Sequence, residues 1–542
     1  MSIFSTTLQQ SGAYPNNVSA QATDLTPYNG PWTAKEVVHL LRRTMFGAAK
    51  ADVDYFLSQT MSSAVDELLT PAPAPAPPLN NYNTSGYTDP DVPFGQTWVN
   101  AGYGANLKRR ASFKSWWTGL MLNQNRSIHE KMTLFWHNHF PTETTIVDDS
   151  GLVYKNNSLL RQNALGNFKT LTLQVTLDPA MLIYLNGYLN TAGAPDENYG
   201  RELQELFTVG KDPSQLFSED DVKAAAAVLT GYSIDFANST YIFYPSKHNA
   251  GDKQFSAFYN NTLISGQAGA AGRNELDDLL NMIFATQKVA EFICKKIYRY
   301  FVYYQIDSTV DANIIQPLAT IFRSNNYDIL PVLSALFKSQ HFFDMLNRGC
   351  VIKSPMDYFV GACREFNVQF PAASNLADQY YFWNLISTEA ALVNQDIADP
   401  PNVAGWPAYY QSPSYHEVWI NTATLPKRAQ FADIAINGGF TQNGFTLQFD
   451  PIAFVAKLSN PADPNSLISE TLDLIFSIDT GTTLYDYLKS ILLSGQVSDS
   501  YWTSAWKDYV NDPSDPVALS TVKTRLTQFF QYLLDLAEYQ LS

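Results

Sequence analysis

This chain of 542 residues is predicted to be mainly α-helical, a large multi-helical globular bundle with at most a few short β-strands. Leucines and aromatic residues recur at three- and four-residue spacing from Arg110 onward, which is the period of an amphipathic helix. Hydrophobic residues make up 45% of the chain and aromatic residues 14%, enough for a sizeable core. Runs that alternate apolar and polar residues are sparse, which argues against a central sheet.

The first helices are marked by their caps. Thr33 and Glu36, three positions apart, form a capping box, and Gly47 ends the helix that follows. Two more helices are predicted over residues 52–57 and 62–69. Further predicted helices cover residues 128–136, 219–229, 285–304, 328–339, 355–366, 467–478, 483–494 and 516–539. Short strands are predicted at 241–244 and 445–449, in hairpins rather than in a central sheet.

Three parts are predicted along the chain. Residues 1–30 form a polar N-terminal arm that is ordered only if it docks on the body. Residues 31–435 form an all-α domain, and residues 436–542 form a C-terminal helical extension. Within the all-α domain, residues 71–78 read Pro-Ala-Pro-Ala-Pro-Ala-Pro-Pro, which predicts a stiff polyproline II connector.

Composition excludes several classes of function. Lysine and arginine number 35 against 51 acidic residues, a net charge of −16, so a nucleic acid backbone would be repelled. The chain has no Walker loop, dinucleotide fingerprint or Gly-x-Ser-x-Gly elbow, and we expect no nucleotide cofactor. Three cysteines without Cys-x-x-Cys spacing predict neither a disulfide framework nor a thiolate zinc site.

The sequence also bears on location. Its first residues lack a basic region followed by an apolar stretch, so no standard secretion signal is expected, and the compartment stays open. No run of about 18 apolar residues predicts a membrane span. Oligomeric state is not indicated.

The most informative segment is Phe-Trp-His-Asn-His-Phe at residues 135–140. It places His137 and His139 two positions apart among aromatic rings. Such a pair binds one metal only where the backbone is extended or a helix is ending, since positions two apart on a continuing helix point about 200° apart. We call residues 129–139 the His137 cluster.

Two other polar groups interrupt the apolar pattern. The Arg201 cluster, residues 196–206, places Glu202 and Glu205 on one helix face, with Asn198 one turn earlier. The His248 cluster, residues 247–253, contains His248 and Lys253. Two imidazoles, a carboxylate pair and a third imidazole suit zinc, iron or manganese. The alternative for each cluster is structural: a salt-bridged helix face or a hydrogen-bonded core histidine.

A loop near residue 400 carries another signal. Pro400, Pro401 and Pro407 restrict the backbone around Gly405 and Trp406. We expect a rigid loop whose indole packs against the helices of the polar clusters. The ring would either plug the bundle or stack on a substrate.

These segments together resemble the bacterial family known as domain of unknown function 1800. The resemblance covers about residues 31 to 430 and rests on residues 39–47, 130–140, 161–168, 178–182, 197–210, 220–232, 248–255, 353–355 and 400–406. It is weak over the tail from about 436 to 542. The family pattern usually has His-Asp where this chain has His248-Asn249, so one carboxylate is missing.

The resemblance implies a bacterial protein of unassigned activity. Relatives are often exported and encoded beside a sulfatase-like family, which suggests envelope or polymer chemistry. The leading hypothesis is a metal-dependent hydrolase acting on an envelope or extracellular polymer; oxidative metal chemistry fits the same ligands. The alternative is a non-enzymatic helical scaffold with a polysaccharide or protein partner.

Each candidate residue has a role under the hydrolase hypothesis. A divalent metal would be bound by His137, His139, Glu202 and His248. Glu205 would act as general base for a metal-bound water. Anion binding or carboxylate orientation would fall to Arg201 and Lys253, and substrate contact to Asn198 and Trp406.

Overall fold

The structure is a computed structural model that describes residues 24–211 and 217–542. Within these ranges the protein is mainly helical, with three two-stranded antiparallel sheets, as predicted. The N-terminal half contains helices α1 to α9: Ala34–Thr44, Lys50–Leu57, Met61–Leu68, Asn106–Leu122, His129–His139, Thr144–Val147, Ser150–Gln162, Phe168–Thr176 and Pro179–Tyr184.

The middle of the chain contains helices α10 to α18: Asn198–Glu202, Glu219–Val228, Glu275–Phe284, Gln287–Phe301, Ser308–Val310, Gln316–Ser324, Ile329–Phe337, Pro355–Glu365 and Leu376–Leu392. Helix α10 continues without a break into a π-helix, Leu203–Thr208. The C-terminal region contains helices α19 to α24: Thr424–Asn437, Pro451–Val455, Pro464–Ile475, Thr482–Leu492, Ser500–Asn511 and Pro516–Asp535.

The sheets are small two-stranded ribbons. Strands β1 (Tyr232–Asp235) and β2 (Thr240–Phe243) form one hairpin, and β5 (Phe440–Gln442) and β6 (Phe445–Leu447) form another, which confirms both predicted ribbons. The pair β3 (Lys253–Gln254) and β4 (Leu263–Ile264) was not predicted. Two-residue strands are too short to leave an alternating pattern.

The predicted capping box is present, since the Thr33 N–H donates to Glu36 Oε2 at 2.8 Å. The long helix predicted over 285–304 is present as α13, Gln287–Phe301. Thr286, extended at ψ 145°, is its N-cap, and the preceding helix α12 was not predicted.

The connector and the described end of the N-terminal arm both lie against the helical body. Residues 71–78 form no helix or strand, and the Ala76 carbonyl accepts a hydrogen bond from Trp116 Nε1 at 2.9 Å. From the arm, the Tyr28 N–H donates to the Lys338 carbonyl at 2.7 Å. The arm up to residue 23 lies outside the described residues.

The C-terminal extension packs into the body. Helix α24 lies along α19, and its buried Phe530 contacts Phe366 on the segment that ends α17. The Lys353 N–H donates to the Gln540 carbonyl at 2.8 Å. The extension therefore completes the core of the preceding helices. None of the helices in the described ranges has both the length and the apolar character that a membrane crossing requires.

Candidate functional site

His137 and His139 lie on one uninterrupted helix, α5, and face different surroundings. His137 lies between two indoles, with its ring centroid 5.3 Å from that of Trp117 and 5.9 Å from that of Trp406. The ring of His139 is packed among phenylalanines, and its Nε2–H donates to the Phe207 carbonyl at 2.9 Å. Because α5 continues through His139, the two imidazoles do not converge.

Both imidazoles are strongly desolvated. Burial lowers the pKa of His137 to about 4 and that of His139 to about 3, so both are neutral at neutral pH. One ring nitrogen of each, His137 Nε2 and His139 Nδ1, is buried without a hydrogen-bond partner. The Phe207 carbonyl belongs to the last turn of the π-helix, where carbonyl groups lack an intrahelical donor, so His139 acts as its side-chain cap.

The Arg201 cluster is an ion-paired helix face. Arg201 donates to Glu219 through both terminal nitrogens, at 2.8 and 2.7 Å, and to Glu197 at 3.1 Å. Glu205 lies 3.7 Å from Arg201 and 2.9 Å from Lys211. Arg201 therefore lies among three carboxylates, and its two predicted roles stay predictions.

The other two candidate residues of this cluster, Glu202 and Asn198, lie outside these ion pairs. Burial, with the nearby charge of Glu205, raises the pKa of Glu202 above its usual value. Asn198 is exposed, and its side chain donates to the Leu185 carbonyl at 3.4 Å. Among the described residues, neither Glu202 nor Asn198 makes a hydrogen bond or a ring contact with the His137 cluster.

The His248 cluster closes on a glutamate that sequence reasoning missed. The fully buried Glu275 accepts hydrogen bonds from Lys253 Nζ and, at 2.6 Å, from the Gln267 N–H. His248 Nε2 lies 3.2 Å from Glu275 Oε1, an ion-pair distance without hydrogen-bond geometry. His248 Nδ1 donates to the Thr230 carbonyl at 2.9 Å. Lys253 is thus held in a buried ion pair with Glu275.

Trp406 lies where the loop prediction placed it. The ring is 1% exposed, and its main-chain N–H donates to Asn138 Oδ1 on α5 at 2.8 Å. Gly405 adopts φ +87°, and any Cβ there would collide with Asn138. The loop is therefore locked onto the helix that carries His137, and the buried ring favours the bundle plug over substrate stacking.

The four predicted metal ligands are not brought into one group. Within residues 24–211 and 217–542, the structure has no set of three or more His, Cys, Asp or Glu side chains arranged to hold a metal ion. α5 directs its histidines apart, and His248 lies against Glu275. The expected convergence of His137, His139, Glu202 and His248 stays a prediction. Metal binding itself stays a prediction.

Sequence reasoning missed the polar groups around His137 as well. Lys114 Nζ lies 2.5 Å from Asp396 and 2.6 Å from Asp399, and Asp399 accepts from the Thr144 N–H at 2.6 Å. Asp399 directly precedes the proline pair of the Trp406 loop, which was the available signal. No such sequence signal was available for Glu275, because nothing in its own segment marks it as a partner of residues more than twenty positions earlier.

The comparisons with known proteins identify a family. A family model described as "Protein of unknown function (DUF1800)" matches residues 39–541, so the chain belongs to this family. The match includes the tail that the resemblance covered only weakly. Neither a curated protein nor a solved structure matches the chain.

Proposed function

We propose that the protein is a non-enzymatic helical binding or assembly protein whose buried His, Glu and Arg side chains hold its helices together. The observation that carries the proposal is that the three predicted catalytic groups, Arg201, Glu205 and Lys253, are engaged in internal ion pairs. A general base or an anion clamp needs a free polar face toward its substrate.

Buried ion pairs of the same kind join distant segments elsewhere. Arg42 on α1 donates to Glu365 on α17 at 2.9 Å, and both side chains are almost wholly buried. Such pairs add little net stability but penalise any packing that separates them, so they specify one arrangement of the helices. Further examples are Arg109–Asp89, Arg161–Glu130 and Arg348–Glu36.

A surface cleft supports a glycan as the bound partner. Its empty volume is about 1280 Å³ including the open side. Two lining aromatic side chains are largely exposed, Tyr103 at 72% and Phe236 at 62%. Asp148 accepts a hydrogen bond from the Tyr103 hydroxyl at 2.9 Å and holds that ring at the rim. Aromatic faces beside Asn and Asp side chains provide stacking and hydrogen bonds to a sugar.

Affinity electrophoresis through gels containing soluble bacterial or plant polysaccharides tests this proposal. We expect at least one polysaccharide to retard the protein. The double variant Tyr103→Ala/Phe236→Ala should reduce the affinity roughly tenfold, because two stacking surfaces are lost. Tyr381→Ala, which removes an exposed ring outside the cleft, is the matched control. Equal retardation of the double variant and the wild type would reject the cleft.

The metal-dependent hydrolase is the second candidate, acting on an envelope or extracellular polymer. It is favoured by one observation: His137 Nε2 and His139 Nδ1 are buried imidazole nitrogens without hydrogen-bond partners, as metal-binding nitrogens would be in the absence of their metal. Elemental analysis of the purified protein separates the two candidates. Near-stoichiometric zinc, iron or manganese, with a fall in melting temperature on chelation, would overturn the binding-protein proposal.

A further inference from the structure

We propose that the glycan-binding surface extends along α7 from the cleft of Tyr103 and Phe236, here the glycan cleft, into a second cavity, and that the two together bind a linear, uncharged polysaccharide. This inference rests on the proposed glycan binding and names the class of glycan. The second cavity lies between α4, α7 and the connector of residues 71–78, and its empty volume is about 680 Å³ including the open side. Its lining includes Ala74, Pro75, Trp116, Tyr154, Ser158 and Gln162.

Helix α7 contributes to the walls of both cavities. Gly151 and Lys155 line the glycan cleft, whereas Tyr154, Ser158 and Gln162 line the second cavity. Side chains three or four positions apart are neighbours on a helix surface, so Lys155 in the cleft lies beside Ser158 in the second cavity. At 1.5 Å per residue, the stretch from residue 151 to residue 162 covers about 16 Å of the helix. A ligand that occupies both cavities is therefore an extended chain rather than a single sugar.

The α7 wall of the second cavity offers neutral polar groups. Tyr154, Ser158 and Gln162 follow one another at four-residue spacing, so they lie about 6 Å apart along the helix axis, comparable with the length of one sugar ring. Tyr154 and Ser158 are half-buried and Gln162 is exposed. Among the described residues, the hydroxyl and amide groups of these three side chains have no hydrogen-bond partner. They are therefore available to the hydroxyl groups of a sugar chain.

The connector supplies an apolar wall opposite these groups. It is held on α4, because the Ala76 carbonyl accepts a hydrogen bond from Trp116 Nε1 at 2.9 Å, and Pro75 lines the cavity beside this contact. The Tyr154 ring packs against Trp116, with the ring centroids 5.6 Å apart. Apolar surfaces together with a few hydrogen-bonding groups match a sugar ring, whose faces are apolar and whose edge carries hydroxyl groups.

The second cavity carries no net charge. Arg161 and His129 are the basic side chains that line it. Arg161 is paired with Glu130 at 2.8 Å. Burial lowers the pKa of His129 below its usual value, so the ring is neutral at neutral pH. An ionised sugar would therefore lose water in this cavity without gaining an opposite charge.

The charges of the glycan cleft also cancel. Asp148 is paired with Arg110 at 2.8 Å. Asp149 and Lys155 then contribute one negative and one positive charge. The whole chain has a net charge of −16, which repels a polyanionic polysaccharide before it reaches either cavity. Both cavities thus favour a polysaccharide without ionised groups.

Affinity electrophoresis of the full chain tests the charge of the ligand. The gels contain dextran, galactomannan or hydroxyethyl cellulose, or the carboxymethyl derivative of dextran, galactomannan or cellulose. We expect at least one uncharged polymer to retard the protein and its carboxymethyl counterpart to retard it less. Equal or stronger retardation by the carboxymethyl form overturns the uncharged assignment. If no uncharged polymer retards the protein, the inference fails; the proposed glycan binding fails as well only if no charged polymer does so.

The double variant Ser158→Ala/Gln162→Ala tests the second cavity. It should weaken binding of the retarding polymer about tenfold, because two hydrogen-bonding groups are lost, and leave the melting temperature unchanged. Ser62→Ala/Gln430→Ala makes the same changes at exposed helix positions outside both cavities and should have no effect.

Chain length gives an independent measurement. A disaccharide of the retarding polymer cannot reach both cavities, so it should compete at least about tenfold more weakly than longer fragments. Equal competition overturns the extended site. Unchanged binding by Ser158→Ala/Gln162→Ala, with weaker binding by Tyr103→Ala/Phe236→Ala, likewise overturns the second cavity while leaving the glycan cleft in place.

Discussion

Asp178 shows how one buried carboxyl makes stability depend on pH. It caps α9 by accepting from the Ala180 N–H at 3.4 Å, and burial raises its pKa to about 7. The folded state therefore binds the proton more tightly than the unfolded state does. The contribution of Asp178 to the free energy of unfolding is therefore fully present at low pH and is lost as the pH rises from about 4 through 7.

Asp178→Asn should remove this loss, because asparagine also caps helices but carries no charge. We expect the variant to match the wild type near about pH 4 and to be more stable near about pH 8, by up to about 4 kcal/mol. Urea unfolding at both pH values measures the difference. Asp463→Asn is the control: this cap of α21 has a lowered pKa, so the same change should not stabilise. A less stable Asp178→Asn at the higher pH contradicts the argument.

Trp406 is a residue whose role is set by complete burial. Trp406→Ala should cost about 3 to 5 kcal/mol of unfolding free energy, from lost burial and the cavity left beside His137. Denaturant unfolding measures the cost. The exposed Tyr381 should tolerate the same change within about 0.5 kcal/mol. If Trp406→Ala instead left stability unchanged and weakened only ligand binding, the stacking role would replace the plug.

At the scale of elements, the end of α5 and the π-helix depend on each other. His139 supplies the donor for the Phe207 carbonyl at the last turn of Leu203–Thr208. His139→Ala should therefore cost about 2 to 4 kcal/mol, because a carbonyl loses its partner and the phenylalanine cluster gains a void. A thermal melt of variant and wild type checks this. Chelator should not change the wild-type melting temperature; a fall would instead favour a metal at His139.

At the scale of the molecule, the C-terminal extension is continuous with the body. Arg42 donates to the Ile475 carbonyl at 2.6 Å, and the Tyr539 hydroxyl donates to Glu365 at 3.0 Å. A chain ended at residue 435 would lack both of these partners of the Arg42–Glu365 pair. It would also expose the apolar surface that α24 covers. We expect such a chain to lose cooperative unfolding, measured by circular dichroism against the full chain. A stable, cooperative product would establish residues 436–542 as an independent domain.

Local patterns predicted much of the fold. The capping box at Thr33, the two predicted hairpins and most helices follow from residues within about four positions of one another. The helix predicted over 285–304 corresponds to α13, whereas the preceding helix α12 was not predicted. The family followed from the order of short segments along the chain.

What the sequence by itself determined is therefore the fold class, the local elements and the places where polar residues interrupt the apolar pattern. Only the tertiary structure decided which of those residues meet. Arg42 and Glu365 are 323 positions apart along the chain, and Lys253 forms an ion pair with Glu275, 22 positions away. The physical reason is that helical periodicity is a property of neighbours along the chain, whereas the pairing of buried charges depends on how helices pack across it.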